Sequence, residues 1–392
     1  MNTQSTPVHI RLWNRDFWHL AIANLLLTMS VTMMIPTLPV WLMGEENLST
    51  QETGILMGVF GVGIFLLGAF CSFLVQRYRR NQVCMLSILA IIGCQAFLYY
   101  GDTLKSEFVD FSLVLIQRIL LGAFFGLSVM VLESTLVIDS CEASQRTEAN
   151  HSAAWFARFA LALGPLVGVY LMQMLGFSSV LIGSMVCAGA ALLLIRLVNF
   201  PFRTPEEHLH AVCLDRFFLS NGSLLFINMI MISIVIGLVM SMITTPLFYM
   251  MMMVGFLLAI VAQHFVFRDA ELKSEVVTGL ILIGAALLLM LTRTQQVVSY
   301  LSPAFIGLGI GIVGSRFLLF FIKLSRHCQR GTSQSTYLLG WESGLSIGIG
   351  IGYGLFYQQD ALLLIVALVI TAVSLAMYHL LTHQWFIANK NR

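Results

Sequence analysis

RILLGAFFGLSVMVLESTLVID, residues 118–139, runs into SCEASQRTEANHS, 140–152, and then AAWFARFALALGPLVG, 153–168. Two apolar segments flank a short polar turn. Arg118, Glu133 and Arg158 sit inside the apolar parts. An unpaired Arg at the centre of a membrane-spanning helix costs at least about 2.5 kcal/mol. Each of these charges therefore faces a bundle interior, a partner or water.

The rest of the chain sets the medium. It has 392 residues, 58% hydrophobic and 10% charged, against roughly 25% charged in soluble domains. Too few charges exist to cover a soluble surface, so the expected class is an all-α integral membrane protein. The net charge of +2 forms no basic stripe, and nucleic acid is not an expected partner. Seven Cys and nine His are dispersed without CxxC or zinc-ligand spacing, so no metal or other cofactor is expected. The first residues, MNTQSTPVHIRLWNRDF, show no leader-cleavage pattern.

A spanning helix needs about 20 apolar residues. That ruler predicts twelve spans, at 17–42, 53–75, 83–100, 111–137, 152–172, 178–200, 217–243, 246–267, 275–292, 297–321, 335–357 and 361–386. The division between the seventh and eighth rests on SMITTP, which ends at Pro246. With the N-terminus cytoplasmic, sixteen of the 21 Lys and Arg fall on inner segments and two, Lys105 and Arg293, on outer ones. That asymmetry predicts both termini inside. Short loops point to a prokaryotic cytoplasmic membrane.

The longest polar stretch, NFPFRTPEEHLHAVCLDR at 199–216, reads as a cytoplasmic linker between six-helix halves at 1–198 and 217–392. Laying Gln145–Arg146 over Gln329–Arg330, an offset of 184, brings Gly164 and Gly168 onto Gly348 and Gly352 and Arg158 onto Glu342. Glu133 falls beside Arg316. Two such repeats place a substrate site between them.

On these residues the chain resembles the major facilitator superfamily of secondary transporters. SFLVQRYRRN, 72–81, is similar to the family's basic loop G-x-L-A-D-R-F-G-R-R, matching at Arg77, Tyr78 and Arg80, with Gln76 where the family has Asp. RILLGAFFG, 118–126, resembles the fourth-helix pattern of Arg followed four residues later by Gly122. Glu133 stands where many members carry an acid paired to the basic loop. LGPLVGV, 163–169, with Gly164, Pro165 and Gly168, resembles the fifth-helix motif of exporters. The resemblance implies alternating access by a monomer in membrane lipid, proton coupling, and export of a small amphiphilic or anionic solute. Nutrient uptake, a lipid flippase and a membrane-embedded lipid-modifying enzyme are the alternatives. The enzyme would need His, Asp or Glu clustered at one membrane face, whereas His264 and His327 stand in different loops.

Counting outward from each turn, Glu133 and Arg158 reach equal depth, as do Arg316 and Glu342. Two acid–base pairs are thus expected, open between satisfying charges within each half, gating the cavity and carrying a proton. Arg118 lacks an obvious partner. It is expected either to touch substrate or to bond neighbouring carbonyls and polar groups such as Gln95. Asn24 and Thr28 in the first span and Asn228 in the seventh are further cavity candidates. Pro36 and Pro39 predict a kink near the outer end of the first span. Glycines in spans two, ten and eleven, and Gly122, Gly164, Gly168, Gly348 and Gly352, predict close helix packing. The Met run 250–253 reads as apolar lining or lipid-facing surface.

Overall fold

The computed structural model describes residues 12–104, 110–142, 145–200, 210–214, 216–267, 271–326 and 329–390. Most of the expected linker, together with Arg11, Lys105, Arg203, Arg268, His327 and Arg392, lies outside the described residues. The described chain is a helical bundle: α1 Arg15–Gly44, α2 Thr50–Arg77, α3 Arg80–Leu104, α4 Phe111–Asp139, α5 Arg146–Leu175, α6 Phe177–Arg196, α7 Ser220–Met242, α8 Pro246–Phe265, α9 Leu272–Thr292, α10 Gln296–Leu324, α11 Arg330–Phe356 and α12 Asp360–Asn389. All but α11 are long and apolar enough to cross a membrane by length and composition. This is a multi-pass integral membrane protein. The α7–α8 break falls at Ile243–Thr245, and Pro246 opens α8 at its first turn, where a missing N–H costs nothing.

Helix α11 is as long as the others and more polar, with GTSQSTY at 331–337. Nearly every residue from Thr332 to Ser346 is buried. Its neighbours explain why: it packs along α7 and α2 and reaches the last turns of α4. A helix shielded from lipid by protein on most sides can carry hydroxyls that a lipid-facing helix cannot.

Four helices depart from regular geometry; α2 passes through a 3-10 turn at Gly68–Phe70 and α12 through a π-turn at Tyr378–Thr382. Helix α1 is interrupted at Met33, between Arg15–Thr32 and Met34–Gly44. Pro36 has no N–H for the Thr32 carbonyl, which releases the ladder there. The interruption therefore lies three residues before Pro36, nearer mid-helix than the prolines suggested. Helix α4 widens into a π-turn over Leu132–Leu136, which contains Glu133. Such turns often mark functional positions.

The close approaches follow the repeat. Within the first half, α5 lies on α1: a Cβ on Gly168 would meet the Met33 carbonyl at 2.5 Å, and Gly164 faces the Thr32 hydroxyl. Within the second, α11 lies on α7, and Gly348 and Gly352 face Ile234 and Ser241. Buried Pro165 sits beside Gly164 in the interior of α5. Gly122 of α4 abuts the Phe60 carbonyl of α2, where a Cβ would sit at 2.2 Å. Between the halves α2 meets α11 and α5 meets α8, the two symmetry-related seams. Gly54 faces Gly350 and Gly354, and Gly61 faces Ser346.

Candidate functional site: a charged cavity at the seam

We call the Arg15 end of the bundle the near end and the Gly44 end the far end. Glu133 lies six residues from the near end of α4, about 9 Å by helical rise. Asn24 of α1 donates through Nδ2 to Glu133 Oε1 at 2.8 Å, and Gln334 of α11 donates through Nε2 to Oε2 at 2.5 Å. The same Asn24 amide also donates to the Ala153 carbonyl of α5 at 3.1 Å. Three helices and both halves meet at one carboxylate, and α5 is tied in through Asn24.

Arg158 lies twelve residues into α5. Its guanidinium donates to Ser315 Oγ of α10 and to Tyr337 Oη of α11, each at 3.1 Å. It stacks over the Trp155 ring, 4.9 Å from the centroid. These bonds also cross between halves. Glu342 lies twelve residues into α11, one helical turn beyond Leu338 on the same face. Among the described residues, no hydrogen bond or ion pair reaches its carboxylate.

Glu133, Arg158 and Glu342 line one narrow cavity of about 30 Å³, with Thr28 and Thr32 of α1 and with Tyr337 and Trp341 of α11. That volume holds a water or two. Thr28 Oγ1 is buried in its wall without a hydrogen-bond partner. The α2–α11 glycine contacts at Gly54 and Gly61 lie beyond Glu342 toward the far end, and the Glu133 and Arg158 bonds tie the halves together beside the cavity.

The expected ion pairs are rearranged. Glu133 is held by amides rather than by Arg158. The polar turn runs from Ser140 to Gln145, so Arg158 lies six residues farther from the near end than Glu133, about 9 Å of rise. The expected equal depth fails because the turn's midpoint lies nearer Glu133. Arg316 pairs with Glu275 of α9, inside its own half, and does not reach Glu342. Glu275, overlooked in sequence because it opens a span, is buried. Removing one partner of a buried pair leaves the other charge uncompensated, at about 3–5 kcal/mol. Arg316→Met should therefore lower stability by about 3 kcal/mol, and the double Glu275→Met/Arg316→Met variant should recover most of it. Thermal unfolding of the four proteins measures the cycle.

The basic loop is rewired as well. Arg80 pairs with Asp139 at the end of α4, not with Glu133, and Arg77 is exposed. With Gln76 in place of an acid, Asp139 takes the acidic position against the loop.

Arg118 does not line the cavity. It lies buried between α4 and α2, donating through Nε to the Leu56 carbonyl at 3.2 Å and covering the Phe60 ring at 5.0 Å. Gln95 of α3 instead donates to the Ser30 carbonyl of α1 at 3.2 Å, and Asn228 of α7 to the Ser374 carbonyl of α12 at 3.2 Å. Both tie helices together away from the cavity. Arg118→Met should cost about 1–3 kcal/mol by leaving the Leu56 carbonyl bare, while KM for the transported solute stays unchanged. Unfolding and uptake kinetics on the same preparation separate the two effects.

Gln334, Tyr337, Ser315 and Trp341 escaped the sequence reading. For Gln334 and Tyr337 the signal was the polar run at 331–337 that opens a helix otherwise long enough to span; Ser315, in α10, and Trp341 carried none.

The model of the Major Facilitator Superfamily matches residues 20–349. The chain belongs to that superfamily. The staphyloferrin B transporter of Staphylococcus aureus is 25% identical over 207 residues, 48% of this chain and 46% of that protein. The chain thus matches less than half the length of this curated relative. Among solved structures, the human organic anion transporter MFSD10 superposes with a TM-score of 0.68 at 14% identity, covering 93% of this chain and 98% of that one. A bacterial homologue of the iron transporter ferroportin, in an outward-facing state, does so with a TM-score of 0.65 at 16% identity, covering 96% and 99%. Superfamily membership is that of a transporter fold rather than an enzyme, and these structures share the whole helical frame.

Proposed function

We propose that this superfamily member is a proton-coupled secondary transporter that exports a small anionic solute by alternating access. One observation carries the reading: Glu133, Arg158 and Glu342, from both halves, line one narrow cavity at the seam. Arg158 is the fixed cation for a carboxylate or similar group on the solute. Glu342, which lacks a hydrogen-bond donor, is the proton carrier. Glu133 brings a second carboxylate to the same cavity. Glu133 and Arg158 close the cytoplasmic side, taken as the near end from the Lys and Arg asymmetry, and release when the halves rock.

In this reading 1–198 and 217–392 move as the two bodies, both termini are cytoplasmic, and the working unit is a monomer in a prokaryotic inner membrane. The anionic preference accords with one of the structures named above, that of an organic anion transporter.

Reconstitution into liposomes under an imposed pH gradient tests it. Labelled polycarboxylates should move with the gradient and collapse it in proportion. Equal fluxes with and without the gradient would remove the coupling. Movement of labelled lipid in place of solute would favour a flippase.

A further inference from the structure

The far end of the second half holds a cavity of about 410 Å³ between α7, α8, α9, α10 and α12, remote from the seam. Its throat is apolar, with Phe248, Met290 and Leu364 among its walls. At its base Ser302 is fully buried, and its hydroxyl has no hydrogen-bond partner. At its mouth stand one cation, Arg293, and one anion, Asp360, both exposed. Among the described residues, no hydrogen bond or ion pair reaches either side chain.

The first half treats its corresponding end differently. There Trp41 fills the space, stacked on Phe177 with ring centroids 4.7 Å apart. Its indole Nε1 donates to Asp102 Oδ1 at 2.8 Å, and Ser178 bonds the other carboxylate oxygen. The acid, the hydroxyl and the aromatic ring satisfy one another. Loops of the same order in the repeat thus close one half and leave the other open with its polar groups unmatched. The opening is therefore a property of the second half's residues rather than of the fold.

We propose that this cavity binds a zwitterionic amphiphile, with its anionic group on Arg293, its ammonium on Asp360 and its apolar part in the throat toward Ser302. The one-cation, one-anion mouth matches a headgroup with both charges. A purely anionic headgroup would meet Asp360 with like charge, which disfavours it. A membrane phospholipid and a soluble zwitterionic ester share this chemistry, and the site is independent of the proton reading at Glu342.

The test is native mass spectrometry of the full chain in detergent, offered phosphatidylethanolamine or phosphatidylglycerol with the same acyl chains. Wild type should retain one phosphatidylethanolamine and hold it about tenfold more strongly than phosphatidylglycerol, the scale set by a charged hydrogen bond. Asp360→Asn should erase that preference and Asp360→Glu restore part of it, whereas Arg293→Ala should weaken retention of both lipids and Arg293→Lys restore part of that. Ser302→Leu, which fills the base, should release the lipid. Glu342→Gln should bind as wild type does, so loss of transport in that variant does not bear on this site. Competition by glycerophosphoethanolamine identifies a soluble ester as a sufficient ligand. Failure to compete identifies the acyl chains as part of the requirement. Equal retention of the two lipids by wild type, an undiminished preference in Asp360→Asn, or undiminished retention of both lipids in Arg293→Ala overturns the proposal.

Discussion

Glu342→Gln should abolish gradient-driven transport, by at least about a hundredfold if general acid–base-like proton exchange is its whole role, while leaving the protein as stable as wild type. The reason lies in its surroundings. No donor is fixed on the Glu342 carboxylate among the described residues, so an amide of the same shape breaks no bond. Glu133→Gln makes the necessary contrast. Both Glu133 oxygens accept from side-chain amides, Asn24 on one and Gln334 on the other. A glutamine there sets its own NH₂ against one of those donors, at about 1–3 kcal/mol. Glu133→Gln should therefore lose both stability and tightness of the seam. Measurement of proton-linked flux and of unfolding in both variants decides the assignment. A Glu342→Gln protein that still moves protons with solute would transfer the carrier role to Glu133 or end it.

The second large effect is on folding. Gly348→Val should leave little monodisperse protein. A Cβ on Gly348 would lie 2.2 Å from the Ile234 carbonyl and 2.9 Å from the Gly237 Cα, both backbone atoms. Neither can turn aside as a side chain can, so α11 must move off α7. Overpacking of this kind costs about 1–3 kcal/mol for modest insertions, and a β-branched residue against backbone lies at or beyond the upper end. Gly54→Ala tests the same principle at the seam. Its Cβ would meet Gly350 and Gly354 of the other half, at 2.6 Å for the nearest atoms. That contact belongs to one arrangement of the two halves. Its loss should shift the balance between states more than it unfolds either half. Gel filtration separates the two outcomes for Gly348→Val, and accessibility of a cysteine placed at Tyr337 follows the conformational shift in Gly54→Ala.

How much of this was legible in the chain depends on how local the cause is. The spans follow from hydrophobic length, because a helix in lipid must satisfy its own backbone and present apolar side chains outward. The α7–α8 break was readable since Pro246 follows Thr244 and Thr245 between two apolar runs. The glycines at 164, 168, 348 and 352 were found by the repeat, and their contacts with α1 and α7 obey it. That Glu133, Arg158 and Glu342 needed an explanation was also plain from their apolar setting.

Partner choice was not plain. Counting from a turn assumes that its midpoint is known and that helices climb in step. The π-turn at Leu132–Leu136 and the unequal helix starts break both assumptions. Arg316 turned sideways to Glu275, and Arg80 took Asp139, because the nearest helix within a half is closer than the facing half. Arg118 found a carbonyl and a ring rather than a cavity. The 118–168 stretch alone thus determined that charge is buried in a membrane hairpin. Which charges share a cavity was decided by how the halves pack, since side-chain reach is a few ångström and only tertiary structure brings residues from four helices within it.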